Sequence, residues 1–293
     1  MRTGFKSVEQ GLEAGFPLRL YHKAKRLFWD PAALDLTQDR ATFAALDPRA
    51  QDLLLRLTSL FLGGEEAVTL DLLPLVRVVA QEGRLEEEMY LTTFLLEEAK
   101  HVEFFARFLE EVASARGGLA HYHGPHYRRI FYDLLPEAMG RLERDASPRA
   151  QVEAALTYNV VVEGVLAETG YQGFFQAAER LRARDLDLPG TLEGVAHIKQ
   201  DEARHIAYGL FLIARHLGED PGLWPVVEAR LNLLLPEALG VVQELFAAYP
   251  EGMPLEVSAE EFLAYAMGQF AGRMRVLERA RSLGAGALEG LVG

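Results

Sequence analysis

The chain has 293 residues, a formal net charge of −13 and no cysteine. Without cysteine it can form neither disulfides nor thiolate-bound metal sites, and its acidity argues against nucleic acid as a partner. No apolar run reaches the roughly 18 residues that a membrane-spanning helix needs. The N-terminus does not resemble a signal peptide. We therefore expect a cytoplasmic protein with no membrane span.

Residues 1–47 are expected to be irregular, with a turn at Trp29-Asp30-Pro31 because proline restricts the residue before it. From Pro48 onward the apolar spacing is helical. The predicted helices cover about residues 49–80, 85–116, 127–144, 148–184, 191–217, 222–249 and 258–283. Gly63-Gly64, inside the first of them, predicts close helix packing or a kink. The glycine-rich end, about residues 284–293, is expected to be mobile.

The fold class expected from this pattern is all-α, with a ferritin-like four-helix bundle core and additional helices. The helices at 49–80, 85–116, 148–184 and 191–217 are long enough, at about 1.5 Å per residue, to form such a bundle. No linker composition divides the chain. We therefore expect residues 1–293 to form a single domain.

A pattern of acid, Glu, Ala, base and His occurs twice, at residues 97–101 and 201–205. On a helix, a Glu and a His three residues apart lie on the same face, so each copy is half of a metal site. In the first copy, Glu98 and His101 lie on an apolar face, whereas Glu97 is expected to face outward. In the second copy, Glu202 and His205 have the same arrangement.

A bundle completes such a site with one carboxylate from each of its other two helices. The first helix offers Glu65 and Glu66, of which Glu65 has the more apolar neighbours. The fourth offers Glu163 and Glu168. Glu163 follows an apolar run of three valines, but the pattern alone does not exclude Glu168.

Oxygen and nitrogen ligands of this kind suit iron, manganese or zinc. Four carboxylates would neutralise two divalent ions, and oxidation of those ions would call for additional anions. Metal-bound histidines are usually oriented by a further carboxylate, and Asp201 is the candidate for that role. The repeat therefore predicts a dinuclear, redox-active metal centre.

These residues resemble the ferritin-like di-metal carboxylate superfamily, in particular the small subunit of ribonucleotide reductase. The match is most specific to the ribonucleotide-reductase-small-subunit-like ligand-binding oxidases. The stretches that carry it are residues 64–71, 158–164 and 201–209, with Trp29-Asp30-Pro31 resembling the family's entry segment. The resemblance extends over about residues 20–250.

The resemblance implies six metal ligands, with Glu163 rather than Glu168 among them: Glu65, Glu98, His101, Glu163, Glu202 and His205. It also implies one manganese and one iron per chain, with di-iron as the alternative. The family reacts with O2 and binds a long-chain fatty acid whose carboxylate reaches the metals. The subgroup forms an ether cross-link between a valine and a tyrosine, which here would be Val68 and Tyr158. A homodimer is expected.

Two departures argue against the reductase itself. The radical-storing tyrosine would fall four residues after His101, where this chain has Phe105. A reductase subunit also needs a tyrosine in its C-terminal tail, and the last tyrosine here is Tyr265, inside the final predicted helix. Some reductase subunits that store the oxidising equivalent on manganese–iron also carry phenylalanine in place of that tyrosine, so such a subunit remains one alternative. Non-catalytic iron binding is the other.

Two weaker patterns are expected to be structural. A peripheral metal site could be formed by His121, His123 and His126. We expect these histidines to lie in a solvated loop instead, because no carboxylates accompany them in the sequence. Tyr171, Phe174 and Phe175 could line a ligand tunnel, but core packing is expected.

Overall fold

The computed structural model describes residues 4–115 and 117–288. The bundle is formed by α4, α6, the continuous helix from α9 to α10, and α11, and no strand occurs in these two ranges. The α-helices are α1 (Lys6–Glu9), α2 (Phe16–Arg26), α3 (Thr37–Ala45), α4 (Pro48–Asp71), α5 (Leu73–Gln81), α6 (Leu85–Arg107), α7 (Pro125–Arg128), α8 (Leu135–Arg141), α9 (Pro148–Ala155), α10 (Glu168–Arg182), α11 (Pro189–Glu219), α12 (Trp224–Ala247) and α13 (Ala259–Leu283).

The segment before α4 is more helical than its sequence suggested. Residues 1–47 were expected to be irregular, and this expectation was wrong for α2 and α3. In α2, Pro17 stands at the start of the helix, where its missing N–H costs nothing. Phe16, Leu20 and Ala24 are spaced four residues apart along α2 and are all buried. This stripe packs against α6. The expected turn at Asp30 is present, since its carboxylate accepts from the Ala32 amide at 2.9 Å.

The long predicted helices form, but several contain breaks or wider turns. The predicted helix at 49–80 is divided at Leu72 into α4 and α5, with Pro74 at the start of α5. π-helical turns cover Phe108–Val112, Arg129–Leu134 and Leu156–Ala167. A π-turn has hydrogen bonds between residues i and i+5 and is frequently found at functional sites. The longest one joins α9 to α10 inside the bundle.

Gly63 and Gly64 allow α4 to lie close to the segment that follows the histidine loop. A Cβ at Gly63 would lie 2.9 Å from the Tyr127 hydroxyl, and one at Gly64 would lie 3.3 Å from the Phe131 ring. The predicted close packing is confirmed, and no kink is needed to explain the pair.

The apolar interior consists of two clusters, one at each end of the bundle. Val68, Phe94 and Ile206 belong to the first, and Phe61, Phe105 and Ile198 to the second. On α4, α6 and α11, these residues lie one or two helical turns to either side of a buried acid. A polar layer is therefore enclosed between two apolar layers.

The last described segment of the chain packs against α11 and α13. Gly284–Leu288 forms a short 3₁₀ turn after α13. The remainder of the expected mobile tail, residues 289–293, lies outside the described residues. None of the described helices combines the length and hydropathy that a membrane-spanning segment requires.

Candidate metal centre

The polar layer contains two groups of carboxylates and histidines. Within the described residues, the first group is Glu65, Glu98, His101 and Glu202, and the second is Glu98, Glu163, Glu202 and His205. In each group one ligand atom per residue lies within 4.8 Å of all the others. Glu98 and Glu202 belong to both groups. The six side chains singled out in the sequence are thus brought together, and each is at most 5% exposed.

Both histidines present the same nitrogen to the carboxylates. His101 Nδ1 lies 3.4 Å from Glu65, 3.5 Å from Glu98 and 3.4 Å from Glu202. His205 Nδ1 lies 3.2 Å from Glu98, 3.5 Å from Glu163 and 3.4 Å from Glu202. Ligands bound at about 2.1 Å around one ion are separated by distances of this order. Each group could therefore hold one metal ion.

The other ring nitrogen of each histidine contacts an acid from the opposite copy of the repeat. Glu97 Oε2 lies 2.9 Å from His205 Nε2, and Asp201 Oδ2 lies 3.3 Å from His101 Nε2. A carboxylate at Nε2 keeps the proton there and leaves Nδ1 free to bind a metal. The role expected for Asp201 fits this contact. The expectation that Glu97 faces outward was wrong, because Glu97 is 3% exposed.

One guanidinium joins the two outer acids. Arg204 is buried and hydrogen-bonds both Glu97 and Asp201. Asp201 also accepts from the Trp29 indole at 2.7 Å and from Lys100 at 3.1 Å. These partners satisfy the two buried carboxylates with hydrogen bonds and fix them in place. Sequence reasoning missed Arg204 and Lys100, although each repeat carries a base directly before its histidine.

The π-helical turn brings two predicted residues onto one face. Tyr158 and Glu163 are five residues apart, which is the hydrogen-bond spacing of a π-turn. The Tyr158 hydroxyl lies 3.1 Å from Glu98 and 3.3 Å from the Val68 carbonyl oxygen. Asn159 donates to Glu163 at 2.9 Å. Glu168, the alternative to Glu163, instead pairs with Lys199 at 2.5 Å.

The protonation of the layer reflects its burial. Burial raises the pKa of Glu65 and of Glu163 well above the usual range. The neighbouring histidines, His101 and His205, lower these pKa values by less than burial raises them. Burial also acts to raise the pKa of Glu98, but its contacts with both histidines hold that pKa below its ordinary value. Without cations, this many acids cannot all be charged in a dry interior.

Several buried atoms of the layer have no hydrogen-bond partner within the described residues. They are Glu98 Oε2, Glu163 Oε1, Glu202 Oε2 and His205 Nδ1. An unpaired buried polar atom is costly and rare. All four belong to the second group of ligands, which fits the placement of a cation among them.

An apolar cavity leads to this layer. Its empty volume, which includes the open space at its mouth, is about 760 Å³. Glu65, Glu98, Glu163 and Glu202 border it. The remaining lining is almost wholly apolar: Leu57, Leu60, Phe61, Gly64, Val68, Tyr127, Phe131, Val162, Leu166, Ala167, Thr169, Gly170, Val241, Val242, Leu245 and Phe262.

The weaker patterns are accounted for by other contacts. His123 lies 2.9 Å from the Tyr132 hydroxyl, and His126 lies 2.7 Å from Glu237, so the loop histidines do not converge. Tyr171 stacks on Phe61 and its hydroxyl lies 3.4 Å from Glu202. Tyr171 and Phe174 are buried in the apolar interior, as their expected role in core packing requires.

Comparison with known proteins agrees with this geometry. The family model of the ribonucleotide reductase small chain matches residues 16–268. An R2-like ligand-binding oxidase with an aerobically reconstituted Mn/Fe cofactor is 38% identical, with a TM-score of 0.90 over 94% of this chain and 98% of that one.

A glycine-to-leucine variant of an R2-like ligand-binding oxidase, with an aerobically reconstituted Fe/Fe cofactor, is also similar. It is 37% identical and has a TM-score of 0.90 over 94% of this chain and 99% of that one. The match thus includes the bundle and nearly the full length of both proteins. The chain belongs to the ribonucleotide reductase small chain family and, within it, to the R2-like ligand-binding oxidases, which are di-metal oxidoreductases.

Proposed function

We propose that this protein is an O2-activating oxidase that binds one manganese and one iron ion and oxidises a long-chain fatty acid or a similar apolar carboxylate. The observation that carries the proposal is the pair of carboxylate–histidine groups sharing Glu98 and Glu202 beside an apolar cavity. Structural neighbours with Mn/Fe and Fe/Fe cofactors support the choice of metals. Di-iron remains the alternative, since the same ligands accept either ion.

The proposed ligands divide between two ions. Glu65 and His101 would hold the first, Glu163 and His205 would hold the second, and Glu98 and Glu202 belong to both groups and would contribute to both ions. Once bound, the two reduced ions supply electrons for the reduction of O2. The protein would hold them in a buried layer, where Glu97 and Asp201 contact the Nε2 atoms of the two histidines and leave the Nδ1 atoms directed at the proposed sites.

The substrate proposal rests on the lining of the cavity. Four acidic residues border one part of it. Two divalent ions would neutralise these acids, and oxidation of the ions would leave positive charge that an incoming carboxylate would balance. The apolar side chains from α4, α12 and α13 would bury a hydrocarbon tail, at about 0.8 kcal/mol for each CH2 removed from water.

We also propose an ether cross-link between the Tyr158 hydroxyl oxygen and Val68 Cβ. The hydroxyl lies 3.3 Å from the Val68 carbonyl oxygen, and both residues are buried. The reaction would break the Tyr158 O–H and the Val68 Cβ–H bonds and form one C–O bond, and the two electrons and two protons that it releases would be consumed in the reduction of O2. Glu98, 3.1 Å from the hydroxyl, is positioned to take the phenolic proton.

A reductase small subunit is less well supported. Phe105, where the radical tyrosine would stand, is buried and stacked on Phe61 at 5.1 Å. Tyr265 lies within α13, where its hydroxyl contacts Glu168 at 3.2 Å and Lys199 at 3.1 Å. This tyrosine is held in the fold, whereas a radical relay would require one in the tail.

The experiment that tests the function is anaerobic loading with Mn(II) and Fe(II), followed by O2 and analysis of the extracted ligand by mass spectrometry. We expect O2 uptake by protein that holds two metals, and recovery of a long-chain carboxylic acid. Metal-loaded protein that consumes no O2 contradicts the oxidase; cage assembly with many irons per chain would indicate storage. Light scattering on the same sample tests the expected homodimer, and cell fractionation tests the expected cytoplasmic location.

A further inference from the structure

A second buried acid–base group lies on α11, outside the proposed metal ligands. The Tyr208 hydroxyl donates to Glu87 Oε2 at 3.0 Å, and Tyr208 has no exposed surface. Glu87 is 5% exposed and pairs with Arg215, which is 8% exposed. The guanidinium compensates the charge of the carboxylate. Glu87 is therefore a fixed proton acceptor directed at a phenol.

The other fully buried tyrosines differ in this respect. Tyr158 and Tyr171 contact Glu98 and Glu202, which are proposed metal ligands. The Tyr90 hydroxyl has no hydrogen-bond partner within the described residues. Of these four buried tyrosines, Tyr208 is the one whose hydroxyl donates to a carboxylate that is not a proposed metal ligand.

Aromatic rings connect Tyr208 to the metal layer. Tyr208 follows His205 by three residues on α11, so the two side chains lie on one face. The His205 ring stacks on Phe94 with centroids 3.5 Å apart. Phe94 lies 6.1 Å from Tyr90, and Tyr90 lies 5.2 Å from Tyr208. Ring contacts of this size form a continuous path for electron transfer.

We propose that Tyr208 is a redox-active residue that delivers one electron to the O2-oxidised metal centre and its phenolic proton to Glu87. The phenol O–H bond breaks, Tyr208 becomes a neutral radical, Glu87 becomes a neutral acid, and the metal centre is reduced by one electron. The inference rests on the proposed oxidase function, because the oxidised centre is the electron acceptor.

The surroundings of Tyr208 favour this coupled step. Burial, followed by the nearby Glu87 charge, raises the pKa of Tyr208 well above its usual value. The phenol therefore stays protonated at neutral pH, and a radical cation in a dry interior would be costly. Transfer of the proton along a 3.0 Å hydrogen bond avoids that cost. Tyr208 would thus reduce the oxidised metal centre when neither the substrate nor cross-link formation does so.

The test uses full-length Tyr158→Phe protein, in which the competing cross-link cannot form. After anaerobic Mn/Fe loading and O2 addition, samples frozen at intervals are examined by EPR, with and without ring-deuterated tyrosine. We expect a transient tyrosyl signal that is lost when Tyr208→Phe is added. The matched control, Tyr122→Phe, removes a hydroxyl that contacts Asp52 and should leave the signal unchanged.

Glu87→Gln, in the same background, keeps the hydrogen bond but removes the base. We expect the signal to form roughly 100-fold more slowly, as for loss of a general base. If this variant does not fold, a solvent deuterium effect on signal formation in the parent replaces it. An oxidised metal spectrum without a tyrosyl signal, or a signal that survives Tyr208→Phe, overturns this inference alone. Absence of the oxidised spectrum overturns the oxidase proposal as well.

Discussion

Glu97 Oε2 lies 2.9 Å from His205 Nε2, so the first acid of one repeat orients the histidine of the other. Asp201 and His101 form the reciprocal contact, and Arg204 binds both acids. The two copies of the pattern are therefore interdependent. Each supplies ligands to the layer and a supporting carboxylate to its partner.

The first prediction concerns this support. Glu97→Gln removes the charge that holds the proton on His205 Nε2 without removing a proposed ligand. We expect metal affinity to fall by about 10- to 100-fold, as is usual for loss of such a carboxylate. Competitive metal titration measures the change. Glu66→Gln, on exposed surface beside Glu65, is the control and should bind metal normally.

The shared carboxylates predict an asymmetry in metal content. Glu98 contributes to both groups, whereas Glu163 contributes to the second alone. We expect Glu98→Ala to lose both ions and Glu163→Ala to retain one, measured as metal per chain by elemental analysis. Glu168→Ala is the matched control from the same helix and should keep two ions. Two ions in Glu98→Ala would refute the proposed bridging role.

Part of this site follows from the sequence alone. The apolar neighbours of Glu98 and Glu202 on their own helices identified the inward faces correctly. The same reasoning failed for Glu97, because its burial comes from His205 and Arg204 on α11, which the sequence of α6 cannot reveal. The sequence did offer one indication: Asp201 holds the same position in the second repeat as Glu97 in the first, and Asp201 was expected to orient a histidine.

The π-turns also could not be predicted from the local sequence pattern. Residues 156–167 are apolar on nearly every side, so periodicity cannot distinguish a π-turn from an α-helix there. The register that joins Tyr158 to Glu163 depends on packing against α11 and α12. By contrast, α2 carried a readable signal in Pro17 and the Phe16, Leu20 and Ala24 stripe.

The proposed cross-link predicts a change in covalent mass. After aerobic Mn/Fe loading, the chain should lose two hydrogens, and the peptides that contain Val68 and Tyr158 should be recovered joined. Tyr158→Phe lacks the hydroxyl and should give separate peptides while still binding metal. Recovery of separate peptides from loaded, O2-treated parent protein would contradict the cross-link.

The cavity predicts that ligand binding can be separated from metal binding. Val241→Trp on α12 places a large ring in the apolar lining, where added volume cannot be accommodated without displacement. We expect extracted fatty acid to fall well below the parent level while two metals are retained. Leu233→Trp, at an exposed position on the same helix, is the control.

His216 predicts a pH dependence of stability. Burial, followed by the adjacent Arg215 charge, lowers its pKa to about 4. Between that value and the unfolded value of about 6.5 the unfolded chain binds the extra proton, so stability falls as pH is lowered through this window. His216→Gln should remove up to about 3 kcal/mol of that loss. Denaturant unfolding of both proteins at pH 7 and pH 4.5 measures the difference.

The most direct test of the metal centre is anomalous diffraction from crystals of Mn/Fe-loaded protein, recorded at both absorption edges. We predict two peaks inside the bundle: one among Glu65, Glu98, His101 and Glu202, and one among Glu98, Glu163, Glu202 and His205. A single peak, or peaks bound by other residues, would contradict the six-ligand, two-metal account.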